Sequence, residues 1–141
     1  MKAIIIFLLI CGGNSAIGQF SLQPRIGLNE NTHVVFAMDI AYAMKGIELA
    51  AVIDDVQSTH EAAYFGGRIG YRLYGFMPFI GKSYHYFSND KTEFTNGTNY
   101  WVTNIGIRYE HKSHVFIQAE YMKQYQITIG LRLLPTRTIY E

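Results

Sequence analysis

The sequence predicts an all-β protein, an eight-stranded antiparallel up-and-down transmembrane β-barrel, and three observations lead there. Beyond the first 18 residues no helical period persists; eight stretches alternate apolar and polar side chains instead. A two-residue period describes a strand with two chemically different faces. The breaks between stretches are short, so neighbouring strands are joined as antiparallel hairpins and not by crossover helices. The two faces also divide the charges and the aromatic rings in a way that places the apolar face outside.

The stretches are residues 20–28, 32–43, 46–55, 62–74, 76–87, 98–110, 113–123 and 125–134. Between them lie Asn29-Glu30-Asn31, Met44-Lys45, residues 56–61, Gly75, the loop 88–97, His111-Lys112 and Gln124. Gly, Asn, Asp and Lys mark these breaks, as turn chemistry requires. Only the 88–97 segment is long. The last stretch is the cleanest: Tyr125, Ile127, Ile129, Leu131 and Leu133 point one way, and Gln126, Thr128, Gly130 and Arg132 point the other. Eight such strands close naturally into a barrel whose first strand pairs with its last.

Which face is outside follows from composition. The apolar face carries aliphatic residues in mid-strand and aromatic rings near strand ends. With the N-terminal end periplasmic, Phe20, Tyr42, Tyr71 and Tyr109 share one rim, and Phe65, Trp101, Tyr121 and Tyr125 share the other. Two aromatic girdles around an aliphatic band are what a bilayer selects, because amphipathic rings prefer its interfaces. The opposite face carries Arg25, Asp39, Glu48, Arg68, Arg72, Arg108, Glu120 and Arg132, together with Asp54 and Glu110. Five cations and five anions balance, as an internal ion network should. Lys45, Lys91, Lys112 and Lys123 fall in or beside turns and loops. A closed lumen favours arginine, whose planar fork satisfies several carboxylates at once; a water-washed face would admit lysine freely. Small residues on this face (Gly66, Gly70, Gly106, Gly130, Ala37 and Ala41) leave room for the long charged side chains. The alternative is a soluble secreted ligand-binding barrel with its polar face outward.

The leading segment opens with Lys2, continues with an apolar run from Ala3 to Ile10, and ends in small residues at Ala16 and Gly18. That pattern reads as a cleaved signal peptide over 1–18, followed by the barrel at 19–141 and export to the bacterial outer membrane. The apolar run is too short for a spanning helix, which needs about 20 residues. Ile10 is bulky where a lipid-attachment signal before Cys11 needs a small residue. Residues 19–141 hold no cysteine and equal numbers of acidic and basic side chains, 11 of each. A neutral balance argues against nucleic acid as a partner. Charged residues make up 16% of the chain, against about 25% for a typical soluble domain, so some surface faces something other than water.

The signal ending at Gln19, the stretch from Met77 through Pro78 to Gly81 with Tyr84 following, and the closing run from Ile127 to Arg132 carry a resemblance. The chain resembles the small eight-stranded outer-membrane barrels, especially the short outer-membrane β-barrel proteins of Bacteroidetes. The resemblance covers nearly all of 19–141 and implies the fold and a place in the outer membrane. It implies no activity, because such barrels host many functions. One departure is the C-terminus: barrels of this kind end on an aromatic residue read by the assembly machinery, whereas this chain continues from Pro135 to Glu141.

Candidate chemistry is sparse. A lipid-acting barrel enzyme of the lipid A deacylase type uses a His-x-Ser pair followed by Asn. His111 and Ser113 have that spacing, but His114 replaces the Asn and the turn is periplasmic; His85 and Ser88-Asn89 are one residue too far apart. His33, His60 and His85 share the outer rim without ligand spacing and read as polar rim residues. No catalytic set, metal site or cofactor is expected. The expected role is structural or interactive: a monomer contacting outer-membrane lipid, with the 88–97 loop available to a surface partner.

Overall fold

The computed structural model describes residues 18–57, 62–87, 100–112 and 114–133. The residues before Gly18, where a signal peptide is expected, together with His60, the 88–97 segment, Ser113 and the residues from 134 onward, lie outside the described residues. The described chain forms eight strands: β1 (Gln19–Asn29), β2 (Val34–Met44), β3 (Ile47–Gln57), β4 (Ala62–Tyr71), β5 (Phe76–Phe87), β6 (Tyr100–Glu110), β7 (Val115–Tyr121) and β8 (Tyr125–Leu131). Each pairs antiparallel with its neighbour in sequence, and β1 pairs with β8 to close the barrel. The predicted fold class is the observed one.

Boundaries move where turn chemistry overrides alternation. The fourth stretch alternates as far as Tyr74, yet β4 stops at Tyr71. Leu73 and Phe76 exchange both backbone hydrogen bonds, at 2.6 and 2.8 Å, around Tyr74 and Gly75, whose φ values are +50° and +91°. Two successive positive φ values make the tight hairpin turn whose twist matches that of the strands it joins. Lys45 and Gly46 repeat the arrangement between β2 and β3, at φ +48° and +84°. At the opposite end of the barrel, the Asn29 side-chain oxygen accepts from the backbone N–H of Asn31 at 3.0 Å and of His33 at 2.9 Å, closing the β1–β2 connection.

Pro24 marks the seam. Leu22 exchanges backbone hydrogen bonds with Leu133 at 3.1 and 2.7 Å, and the continuous β1–β8 ladder resumes at Arg25↔Gly130. Leu22 and Pro24 turn their backbone edges the same way, toward β8, and proline has no N–H to donate. The ladder is therefore interrupted where Pro24 faces the last strand. Higher on the seam, a Cβ on Gly27 would meet the Ile127 carbonyl oxygen at 1.9 Å, so only glycine allows the two strands to approach this closely.

The alternation holds around the whole circumference. Outward positions are large and exposed, as with Ile127 (60%), Ile129 (54%) and Ile105 (56%), while Asp39, Asn104, Arg108 and Gln118 are at 0%. The barrel is thus inverted relative to a water-soluble one, with polar and charged groups inside and aliphatic groups outside.

Gly75→Val should lower stability by about 1–2 kcal/mol, because a β-branched residue is strained at positive φ. Tyr74→Asn, at a neighbouring position that favours Asn, should be neutral or slightly stabilising. Urea unfolding of the refolded barrel in detergent measures both.

Candidate functional site

Two surfaces are candidates, the lumen and the outer face. The lumen is built in tiers. Nearest the start of β1 and the end of β8, Arg132 Nε and Nη2 donate to the two oxygens of Glu110, both at 2.8 Å, its Nη2 also reaches Glu48 at 2.7 Å, and its Nη1 donates to Ser21 at 3.0 Å. Arg72 Nη1 lies 2.9 Å from Glu110 in the same tier. The middle tier centres on Arg108, which is fully buried. It donates to Asp39 at 2.9 Å, Glu48 at 3.3 Å, Gln118 at 2.6 and 2.9 Å, and also to Gln23. Arg68 donates to Gln118 at 3.0 Å and to Asp39. In the outermost tier Arg25 donates to Asp39 at 3.0 Å, Asp54 at 2.7 Å, Glu120 at 3.0 Å and Thr128 at 3.3 Å. Gln126 binds Asp54 and Glu120 at 3.3 and 2.5 Å. Glu48 joins the first tier to the second, and Asp39 the second to the third.

The sequence places these residues because each sits at an inward position of its strand or, for Arg72 and Arg132, one residue past the end of β4 and β8, and register brings the strands level. All eight expected lumen residues, with Asp54 and Glu110, meet in this network. Removing an ion from water costs several kcal/mol, and the attraction to a partner offsets this only when the remaining hydrogen bonds are also made. Arg108 and Arg132 engage all three guanidinium nitrogens, so the network meets that condition there, while Arg25 Nε, Arg68 Nε and Glu120 Oε2 find no hydrogen-bond partner among the described residues.

Part of the remaining interior is apolar, which sequence reading missed. The Arg108 guanidinium carbon lies 3.9 Å from the ring centre of Phe116, and that of Arg68 lies 4.9 Å from Phe79, distances at which an aromatic face attracts a cation. Met77, Phe79 and Phe116 are buried at inward positions of β5 and β7. The inward glycines accommodate these rings as well as arginines: a Cβ on Gly106 would meet Phe79 at 2.5 Å, and one on Gly130 would meet Phe116 at 2.3 Å and the Arg25 side chain at 2.8 Å. The signal was present in the sequence as apolar residues at inward positions, but it resembled lapses in the alternation.

Toward the far mouth the network gives way to stacked rings. His85 lies between Tyr64 and Tyr100, with ring centres 4.5 and 4.7 Å apart, and the Lys123 ammonium sits 3.6 Å over Tyr100. His85, expected at the rim, is therefore inside the barrel, on the face away from the exterior, while Ser88 and Ser113 lie outside the described residues. His33 is in the β1–β2 turn. Asn104 is fully buried, and among the described residues its amide has no hydrogen-bond partner.

On the outer face, all eight girdle residues point away from the lumen. Phe20 pairs with Tyr42 (ring centres 4.8 Å apart) and Phe76 with Tyr109 (4.9 Å) at the end where β1 starts. Tyr84 pairs with Trp101 (5.3 Å) and Tyr121 with Tyr125 (4.9 Å) at the other end. Phe76 and Tyr84 are additions to the predicted rims; Tyr71 and Phe65 lie on the same face, opposite Ile47 and Tyr84 respectively.

A de novo designed transmembrane β-barrel matches over 84% of this chain and 96% of its own length, with a TM-score of 0.57 at 16% identity. This chain has the fold of a transmembrane β-barrel. The solution NMR structure of the de novo design TMB2.3 matches similarly, with a TM-score of 0.55 and 17% identity over 86% of this chain and 99% of that one. No protein-family model and no curated protein matches.

Asp39→Ala should cost about 3–5 kcal/mol, since it leaves three buried guanidinium groups short of a partner. Asn104→Leu, of similar shape, should instead stabilise by about 1 kcal/mol by removing an unsatisfied amide. Chemical denaturation in detergent separates the two, and a destabilised Asn104→Leu barrel would show that water hydrates the amide.

Proposed function

We propose that this chain is a monomeric membrane-embedded barrel of the bacterial outer membrane, exported through the signal segment 1–18, with a structural or surface-interaction role. The observation that carries the reading is the inversion of faces. Soluble monomers rarely expose contiguous apolar patches beyond a few hundred Å², and here the large aliphatic side chains of all eight strands face outward around a charged interior. Backbone groups in hydrocarbon must be paired within the protein, and pairing of β1 with β8 leaves no open sheet edge. The rims of paired aromatic rings suit the two interfaces of a bilayer.

Orientation follows from the connections. The end where β1 starts and β8 finishes has the two-residue turns at Lys45-Gly46 and Tyr74-Gly75 and the short turn between His111 and His114. Outer-membrane barrels keep short turns on the periplasmic side and longer loops outside. The 88–97 segment then faces the exterior, as the part of the chain long enough to reach a surface partner. An eight-stranded barrel has an interior that side chains nearly fill, and the tiered ion network occupies it here, so the lumen is closed to solutes and the barrel acts as an anchor and not as a pore.

The protein should stay in the membrane pellet after carbonate washing, and its mobility in detergent gels should shift on heating; recovery in the soluble fraction overturns the reading. Reconstituted in planar bilayers it should give no steady conductance. Ile129→Arg, on the outer face at mid-strand, should destabilise the inserted barrel by about 2–4 kcal/mol, whereas a water-soluble barrel would tolerate it.

A further inference from the structure

The outer face is not uniform. At one level of β3 and β4 the large aliphatic residues give way to Ala51 and Gly67, which are paired across the two strands. They form the floor of a groove of about 900 Å³, walled by Ile40 and Ile80, with Tyr42 at its lower end and Lys82 at its upper end. That volume falls within the range of about 300–1,000 Å³ that accommodates small-molecule ligands. Gly67 is not required by the backbone. A Cβ there would meet nothing nearer than the Ala50 carbonyl oxygen at 3.6 Å, and its φ is not positive. A glycine in a strand weakens it unless something approaches closely, so what this one supplies is the depression itself.

Lys82 is the second departure. Apart from Asp55, at the outer end of β3, it is the charged side chain that the described strands turn outward. It pairs with Gly67 on one side and Thr103 on the other, one outward position below Tyr84. Its ammonium lies 6.0 Å from the Trp101 ring centre, at the aromatic rim. A lysine near the end of a hydrocarbon layer lays its methylenes along apolar surface and carries its charge up to the interface. At that interface the available counter-charge is a lipid headgroup.

The geometry points to a specific site for one anionic, phosphate-bearing lipid, with its headgroup on Lys82 against Trp101 and an acyl chain lying over Ala51 and Gly67 toward Tyr42. The proposal rests on the membrane reading above. A second copy of this chain fits less well, because a two-fold contact on this face uses the same patch twice and brings two lysines and no counter-charge into one interface.

Native mass spectrometry of the full chain released from nanodiscs containing equal amounts of phosphatidylglycerol and phosphatidylcholine tests it. The wild-type barrel should retain one lipid, with phosphatidylglycerol in about fivefold excess, the factor one lysine contributes near an anionic headgroup. Lys82→Gln should bring the two lipids to near parity. Gly67→Phe, which fills the groove, should lower retention of both. Lys112→Gln, in the turn at the opposite end, should change neither. A phosphatidylglycerol preference that survives Lys82→Gln, or that Lys112→Gln removes equally, overturns the site. An inserted, heat-modifiable barrel with no lipid preference overturns the site alone, whereas a chain that does not enter nanodiscs overturns the membrane reading with it.

Discussion

Asp39 accepts hydrogen bonds from three arginines carried by three other strands: Arg25 on β1, Arg68 on β4 and Arg108 on β6. Those strands can converge on one carboxylate only if the sheet is closed and its registers are the observed ones. The cost of burying charge makes this a constraint and not an ornament. An arginine that lost its acceptors would be an unpaired ion in a narrow, low-dielectric space. Each cation in the lumen therefore depends on the register of strands that are distant in sequence. Glu48 plays the same part between Arg108 and Arg132.

The constraint also acts outward. Side chains alternate with a strict period of two, so a slip of one residue in a strand that carries an inward arginine or carboxylate would send that charge to the outer surface and an aliphatic residue inside. In a soluble protein such a slip costs burial of one face. Here it would cost twice, once through an unpaired charge left in the lumen and once through a charge placed on the aliphatic exterior. The two faces reinforce a single register, and the two-residue turns at Lys45-Gly46 and Tyr74-Gly75 set it locally.

Much of this was legible in the chain. Alternation is a local property, so the strands from Gln19 to Leu131 and the sorting of arginine to one face could be read without knowing any contact. The overlong fourth strand shows the limit: Arg72 and Leu73 continue the alternation, but the Tyr74-Gly75 turn draws them into a hairpin. Phe79 and Phe116 were not legible as interior residues, because a ring at an inward position has a role only when a guanidinium from a neighbouring strand lies over it. Lys82 was hidden for a related reason. A single charge in an aliphatic run carries little meaning until Gly67 is known to lie beside it and Trp101 near its ammonium.

By itself the sequence determined that there are eight strands, that each has an apolar face, that the charged residues gather on the opposite one, and that the apolar face suits the exterior. These follow from side-chain chemistry and a period of two. Only the tertiary structure decided which charges meet. Arg25 finds Glu120 across 95 residues of chain, and Arg132 finds Ser21 across 111, because closure of β8 on β1 folds the two ends of the chain into the same narrow space. No local pattern encodes such a distance; it arises from the stagger of all eight registers around the ring.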